Sequence, residues 1–195
     1  MNNHNYRGKV FVFSAPSGAG KTTLLNYLKS AIPGLVYSIS ATTRKPRDGE
    51  VDGVHYFFLT EQEFKSRIEK DEFAEWALVH GNYYGTPKSF IDKTIAGGLH
   101  IIMDIDVFGK KTFDKSYPEA IGILILPPSM ELLEKRLRGR GSDDEETVRT
   151  RLKNAMTEMN FAQDQGKYEF TIINDNLEKA KLETEQVIRS NIDPK

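Results

Sequence analysis

Lys9-Val10-Phe11-Val12-Phe13 runs directly into Ser14-Ala15-Pro16-Ser17-Gly18-Ala19-Gly20-Lys21-Thr22. The first five residues read as a buried strand, and Thr22 to Ile32 read as a helix. A small-residue loop between strand and helix that ends Gly-Lys-Thr is the pattern of a phosphate-binding P-loop. It presents backbone N–H groups at a helix N-terminus, where the peptide dipoles favour anions. Gly18 and Gly20 let the backbone approach phosphate oxygens that a Cβ would obstruct. Lys21 supplies positive charge for β- and γ-phosphates, and the Thr22 hydroxyl can ligate Mg²⁺. The general pattern has glycine where this chain has Ala15, the smallest departure available and one compatible with φ < 0.

Outward from that loop, the chain alternates strands and helices. Val10–Phe13, Leu35–Ile39, His100–Ile105, Ile121–Leu126 and Phe170–Ile173 read as strands of a mostly parallel sheet covered on both faces, because their apolar runs are near-continuous. Leu24, Leu25, Leu28, Ala31 and Ile32 share one helical face, which Pro33-Gly34 terminates. Ser142 with Glu145 forms a candidate capping box before a helix striped by Val148, Leu152, Ala155, Met156 and Met159. Asp175 or Asn176 can cap a last helix through Leu177, Ala180, Val187 and Ile188. The alternation predicts an α/β, doubly wound P-loop NTPase-type sheet with right-handed crossovers.

Two segments interrupt it. Ser40 to Thr86 is rich in arginine, aromatic residues and glycine and reads as an inserted mixed α/β lobe, 40–88. Residues 136–148, with Arg136, Arg138, Arg140 and Gly141, read as a small mobile lid. The core is then expected in three parts, 1–39, 89–135 and 149–195.

The 195 residues carry a formal net charge of −1, so nothing global points to nucleic acid or a membrane surface, and no protein partner is indicated. There is no cysteine, which excludes disulfides and zinc–thiolate sites and suits a reducing cytoplasm. The polar N-terminus lacks the apolar stretch of a signal peptide, and no run is long enough to span a bilayer.

Several side chains outside the loop carry candidate chemistry. Thr43-Arg44-Lys45-Pro46-Arg47 places two arginines where they can converge on a phosphate, or form a plain solvated loop. Tyr56, Tyr83 and Tyr84 can donate to phosphate oxygens or flank a base. Glu75 lies in the apolar setting Phe73-Ala74-Glu75-Trp76-Ala77 and needs a partner there. A guanine edge, with N1–H and N2–H₂ donors, satisfies both its oxygens; a nearby lysine or arginine is the alternative. Asp104 and Asp106 follow a buried strand at the end where α/β sheets bind ligands. There a carboxylate can hold Mg²⁺ through water, or simply cap a helix. Arg136, Arg140 and Arg151 are candidates for neutralising charge during phosphoryl transfer, or ordinary surface residues.

Taken together, the chain resembles the guanylate kinases from Val10 to its last helix. The resemblance rests on Ser14 to Thr22, Ser40 to Arg47, Gly49-Glu50, Gly53, Tyr56, Glu75-Trp76, Gly81-Asn82-Tyr83-Tyr84-Gly85-Thr86, Asp104-Ile105-Asp106, Gly139-Arg140-Gly141 and Asn174-Asp175. It implies Mg²⁺-assisted phosphate transfer from ATP to GMP. It also implies that Ser14 to Thr23 and Asn174-Asp175 surround ATP. Arg44, Arg47, Tyr56 and Tyr84 would grip the GMP phosphate, and Ser40, Glu75, Gly85, Thr86, Asp104 and Asp106 would complete the acceptor pocket. Arg140 and Arg151, with Arg136 as a third, would reach the transferring group alongside Lys21 and Arg44. Thr22 and Asp104 (through water) would hold the metal.

Overall fold

The computed structural model describes residues 7–79, 81–139 and 144–192. β1 (Val10–Ser14) is buried at all five positions. Its alternate residues serve two cores: Phe11 and Phe13 pack on one face of the sheet, Val10 and Val12 on the other. Each fully buried large side chain contributes about 1.5–3 kcal/mol. Through the glycine loop β1 enters α1 (Lys21–Ala31), which turns Leu24, Leu25 and Leu28 inward. β2 (Val36–Tyr37) follows.

The chain then leaves the core. β3 (Ala41–Thr42), β4 (Phe57–Phe58), α2 (Glu61–Glu69), β5 (Phe73–Val79) and β6 (Asn82–Pro87) form the insert. α2 starts where Thr60 and Glu63 make a reciprocal capping box. These strands pair in the order β4-β3-β6-β5, and Phe64 and Phe73 stack beneath them with ring centroids 4.3 Å apart.

α3 (Lys88–Ala96) returns to the core and leads to β7 (Ile101–Asp104). α4 (Val107–Ser116) is capped by Asp106, whose carboxylate accepts from the Phe108 and Gly109 amides. β8 (Ile121–Leu126), α5 (Met130–Arg138), α6 (Glu145–Gln165), β9 (Phe170–Ile173) and α7 (Leu177–Ile192) complete the described chain. The main sheet has the order β2-β7-β1-β8-β9, with every pairing parallel.

Four local expectations need correcting. The strand expected over Leu35–Ile39 is ladder-paired only at Val36–Tyr37, because the Leu35 amide is already turned back onto the Ile32 carbonyl. β9 is an edge strand with Ile173 44 % exposed, so its apolar run does not mean burial on both faces. Met156 faces solvent at 54 % exposure, while Val148, Ala155 and Ala162 form the buried stripe of α6. That helix is capped by Asp144, which accepts from the Thr147 amide; Ser142 lies outside the described residues. Of the two possible caps for α7, Asn176 bonds the Lys179 amide.

Candidate active site

The glycine loop emerges at the C-terminal edge of the parallel sheet, where strand carbonyl ends and helix N-termini leave a crevice. Gly18 and Gly20 have φ of 92° and 99°, the left-handed region that side chains disfavour. A Cβ on Gly18 would lie 2.9 Å from both Leu133 and Leu137, and one on Gly20 would strike the Asn174 amide. Glycine is therefore required twice, for conformation and for close approach.

Ala15, Pro16, Ser17, Gly18, Gly20, Lys21, Thr22, Thr23, Asp104 and Glu158 line a cavity of about 350 Å³. Lys21 Nζ pairs with Asp104 across it. Ser14 lies beneath the loop, fully buried, donating to the Ile105 carbonyl at 2.7 Å. Ala19 is buried as well, so these two shape the loop from behind.

A second cavity, about 330 Å³, opens between the insert and the core. Ser38, Ser40, Tyr56, Glu75, Tyr84, Gly85, Thr86, Asp104 and Asp106 are among its walls. Strand alternation decides who faces it: Glu75, Ala77 and Val79 of β5 point in, while Trp76 is 46 % exposed. In β6, Tyr84 points in and Tyr83 turns out to stack on Phe64. Of the three tyrosines, only Tyr56 and Tyr84 reach the cavity.

The partner of Glu75 is the Thr86 hydroxyl, which donates to it at 2.6 Å, rather than a lysine or arginine. Burial pushes the Glu75 carboxyl up to about 7, the Asp106 charge adds to the rise, and the Thr86 bond opposes it. Glycine at 109 eases this approach of α4: a Cβ there would sit 3.1 Å from Glu75 Oε2. Asp106 thus does both things its sequence position allowed, capping α4 and lining the cavity.

The arginines sort differently. Glu50 accepts from both terminal nitrogens of Arg44, at 2.8 and 2.9 Å, and from the Arg47 amide at 2.8 Å. This fork holds the Glu50 carboxyl well below its ordinary range, at about 2. The Arg44 guanidinium lies over the Tyr56 ring, 5.4 Å from its centroid. It is thereby aimed along the wall that carries Tyr56 and Tyr84. Glu50 belongs to the family resemblance, but nothing in the sequence marks it as the partner of Arg44.

Arg136 does not face the phosphate cavity; it donates to the Asn174 carbonyl at 2.7 Å. The Asn174 side chain is buried and donates to the Ala19 carbonyl at 2.8 Å, supporting the loop from below. Asp175 bonds the next amide at a turn. Arg151 lies on α6, and Arg140 falls outside the described residues. Several polar wall residues escape sequence reading, among them Tyr37, His55, Glu158 beside the loop, and Ser38, a buried residue whose hydroxyl has no partner. A lone serine or a helix glutamate carries no pattern that would single it out.

A P-loop on a parallel sheet, facing an acceptor pocket on an inserted sheet, defines a P-loop kinase of small phosphorylated acceptors. The guanylate kinase family model matches residues 7–191. A guanylate kinase of Carboxydothermus hydrogenoformans is 46 % identical over 183 residues, 94 % of this chain and 88 % of that one. One from Helicobacter pylori is 48 % identical over 172 residues, 88 % and 82 % of the two chains. The crystal structure of guanylate kinase from Anaplasma phagocytophilum superposes with a TM-score of 0.70 at 29 % identity, covering 97 % of this chain and 88 % of that one. The chain belongs to the guanylate kinase family, enzymes that phosphorylate GMP to GDP at the expense of ATP.

Proposed function

We propose that the loop cavity takes the phosphates of ATP and the insert cavity takes GMP, so that the γ-phosphate and the acceptor phosphate meet at Asp104. The observation that carries this is Asp104 itself, which lines both cavities and pairs with Lys21. The loop amides and Lys21 bind the polyphosphate; Arg44, Arg47, Tyr56 and Tyr84 orient the acceptor phosphate; Ser40, Glu75, Thr86 and Asp106 read guanine. Two hard oxygen donors, the Thr22 hydroxyl and the Asp104 carboxylate, border the phosphate cavity and suit Mg²⁺, with phosphate oxygens and water as its other ligands. Among the described residues no three acidic or histidine side chains gather as a metal cage. A bound Mg²⁺ would neutralise charge that develops between donor and acceptor.

Transfer needs no covalent intermediate, and an acceptor phosphate already ionised at neutral pH needs no strong base. Catalysis then rests on alignment and electrostatics, with Arg140 and Arg151 reaching the transferring group from the lid side. In this reading 40–88 is the acceptor lobe and 136–148 the lid. Among the described residues no helix is long and apolar enough to cross a membrane. A cytoplasmic setting remains the reading of the cysteine-free sequence.

The test is a coupled assay with ATP, Mg²⁺ and GMP, AMP or ribose 1,5-bisphosphate. GMP is expected to be the preferred acceptor, and Lys21→Ala to abolish turnover with unchanged circular dichroism. Equal rates with AMP would remove guanine from the reading. No turnover with any acceptor would make the fold an interaction module.

A further inference from the structure

Buried hydroxyls in this protein find protein partners, with one exception among the serines and threonines described. Ser14 donates to the Ile105 carbonyl at 2.7 Å, Thr42 to the Tyr83 carbonyl at 2.9 Å and Thr86 to Glu75 at 2.6 Å; Thr184 donates to the Ala180 carbonyl. Ser38 is 6 % exposed, and its Oγ has no partner. A buried hydroxyl without a partner weakens the free protein, and alanine would fill the place without that cost. Ser38 stands on the wall of the insert cavity. We propose that its hydroxyl is a further binding group for the acceptor, donating to the O6–N7 edge of the guanine base. The inference rests on the assignment of that cavity to GMP.

The backbone holds Ser38 in place. Its amide donates to the Ile102 carbonyl at 2.9 Å, one residue beyond the Val36–Tyr37 ladder with β7. It therefore sits at the C-terminal ends of parallel strands, where α/β sheets bind ligands. With the main chain fixed, the hydroxyl can only turn about χ1 to meet a partner. The chemistry of guanine supplies one. Its N1–H and N2–H₂ donors face Glu75 in the proposed reading, which leaves O6 and N7, both acceptors, in need of donors. Among the aliphatic hydroxyls on the cavity wall, that of Thr86 is committed to Glu75, leaving Ser38 and Ser40. Arg44, Tyr56 and Tyr84 are taken by the acceptor phosphate, so the buried hydroxyl is left to the base.

Ser38→Ala removes the hydroxyl, and Ser38→Cys keeps its volume with a weak donor. Thermal melting without nucleotide, steady-state kinetics and calorimetric titration with GMP and ADP are measured on each. Both variants are expected to melt no lower than wild type, because the free protein loses no hydrogen bond. Both should weaken GMP binding and raise its KM by about five- to tenfold. KM for ATP and ADP binding should stay within about twofold. Analogues locate the contact: 6-thio-GMP weakens the acceptor at position 6, 7-deaza-GMP removes N7, and 2′-deoxy-GMP alters only the ribose. For one of the two base analogues, the handicap relative to GMP should shrink by about threefold or more in Ser38→Ala. The handicap of 2′-deoxy-GMP should be the same in both proteins. Unchanged GMP affinity in the variants would overturn the proposal. So would lower melting with equal losses for ATP and GMP, which marks a structural role, or coupling to the ribose analogue alone. A wild-type protein that binds GMP without phosphorylating it would refute the assigned activity, and the GMP titrations would still decide on Ser38.

Discussion

In the proposed reading, acceptor recognition turns on Glu75. Its carboxyl sits at about 7 and bonds Thr86. An ionised carboxylate is what a base edge with two adjacent N–H donors needs. GMP binding should therefore release a proton from a protein poised near neutrality. We expect kcat/KM for GMP to be half-maximal near pH 7 and to fall about tenfold per pH unit below it. The acceptor phosphate titrates near pH 6 as well, so the control is Glu75→Gln, whose profile should keep only the limb belonging to the phosphate. An unshifted profile in that variant would remove Glu75 from recognition. The same shift has a consequence for folding. The folded-state value lies above the ordinary 4.5, so the folded state holds the proton more tightly between 4.5 and about 7. The contribution of Glu75 to stability is greatest below 4.5 and is lost as pH rises through 7. That a carboxylate stood in an apolar stretch was visible in Phe73-Ala74-Glu75-Trp76-Ala77. Its partner was not, because Thr86, eleven positions along the chain, reaches it only through the antiparallel pairing of β5 with β6.

The elements around the phosphate loop were the most legible part of the chain. A continuous apolar strand, a glycine turn and a helix with one leucine face are local patterns, and β1 and α1 fall where those patterns lie. The roles assigned to single residues at the ends of other elements were harder. Arg136 and Asn174 read as groups facing nucleotide; in the structure Arg136 donates to the Asn174 carbonyl and the Asn174 side chain to the Ala19 carbonyl. Thirty-eight positions separate the first pair, and no periodicity reports such a contact. Gly18 tests how tightly the loop is supported. Gly18→Ala places a side chain at φ 92° against Leu133 and Leu137. We expect a loss of about 1–2 kcal/mol, a drop in Tm of a few degrees, and weaker ADP binding. A variant with unaltered melting and ADP affinity would show that the apolar seat does not constrain the loop.

For the molecule as a whole, the decisive fact is that two cavities on two different sheets share the Asp104 wall. We propose that in-line transfer requires the acceptor lobe, 40–88, and the lid, 136–148, to close on both nucleotides, since otherwise the arginines stay solvated and water competes for the γ-phosphate. Small-angle scattering should show compaction with GMP and a non-hydrolysable ATP analogue together, and less with either alone. No change with both bound would rule out closure as part of the cycle.

The amino-acid sequence settled the chemistry that depends on residue type and short spacing: a phosphate loop, a parallel α/β core, a basic and aromatic insert. Each of these is written in neighbours within a turn or a strand, where backbone geometry leaves few alternatives. Tertiary structure decided which of the chemically eligible residues face a cavity. It turned Tyr84 inward and Tyr83 outward, paired Arg44 with Glu50, bonded Arg136 to the Asn174 carbonyl and Asn174 to the Ala19 carbonyl, and brought Ser38 and Glu158 to cavity walls. Those outcomes depend on register and on helix packing between distant segments, which no local pattern encodes.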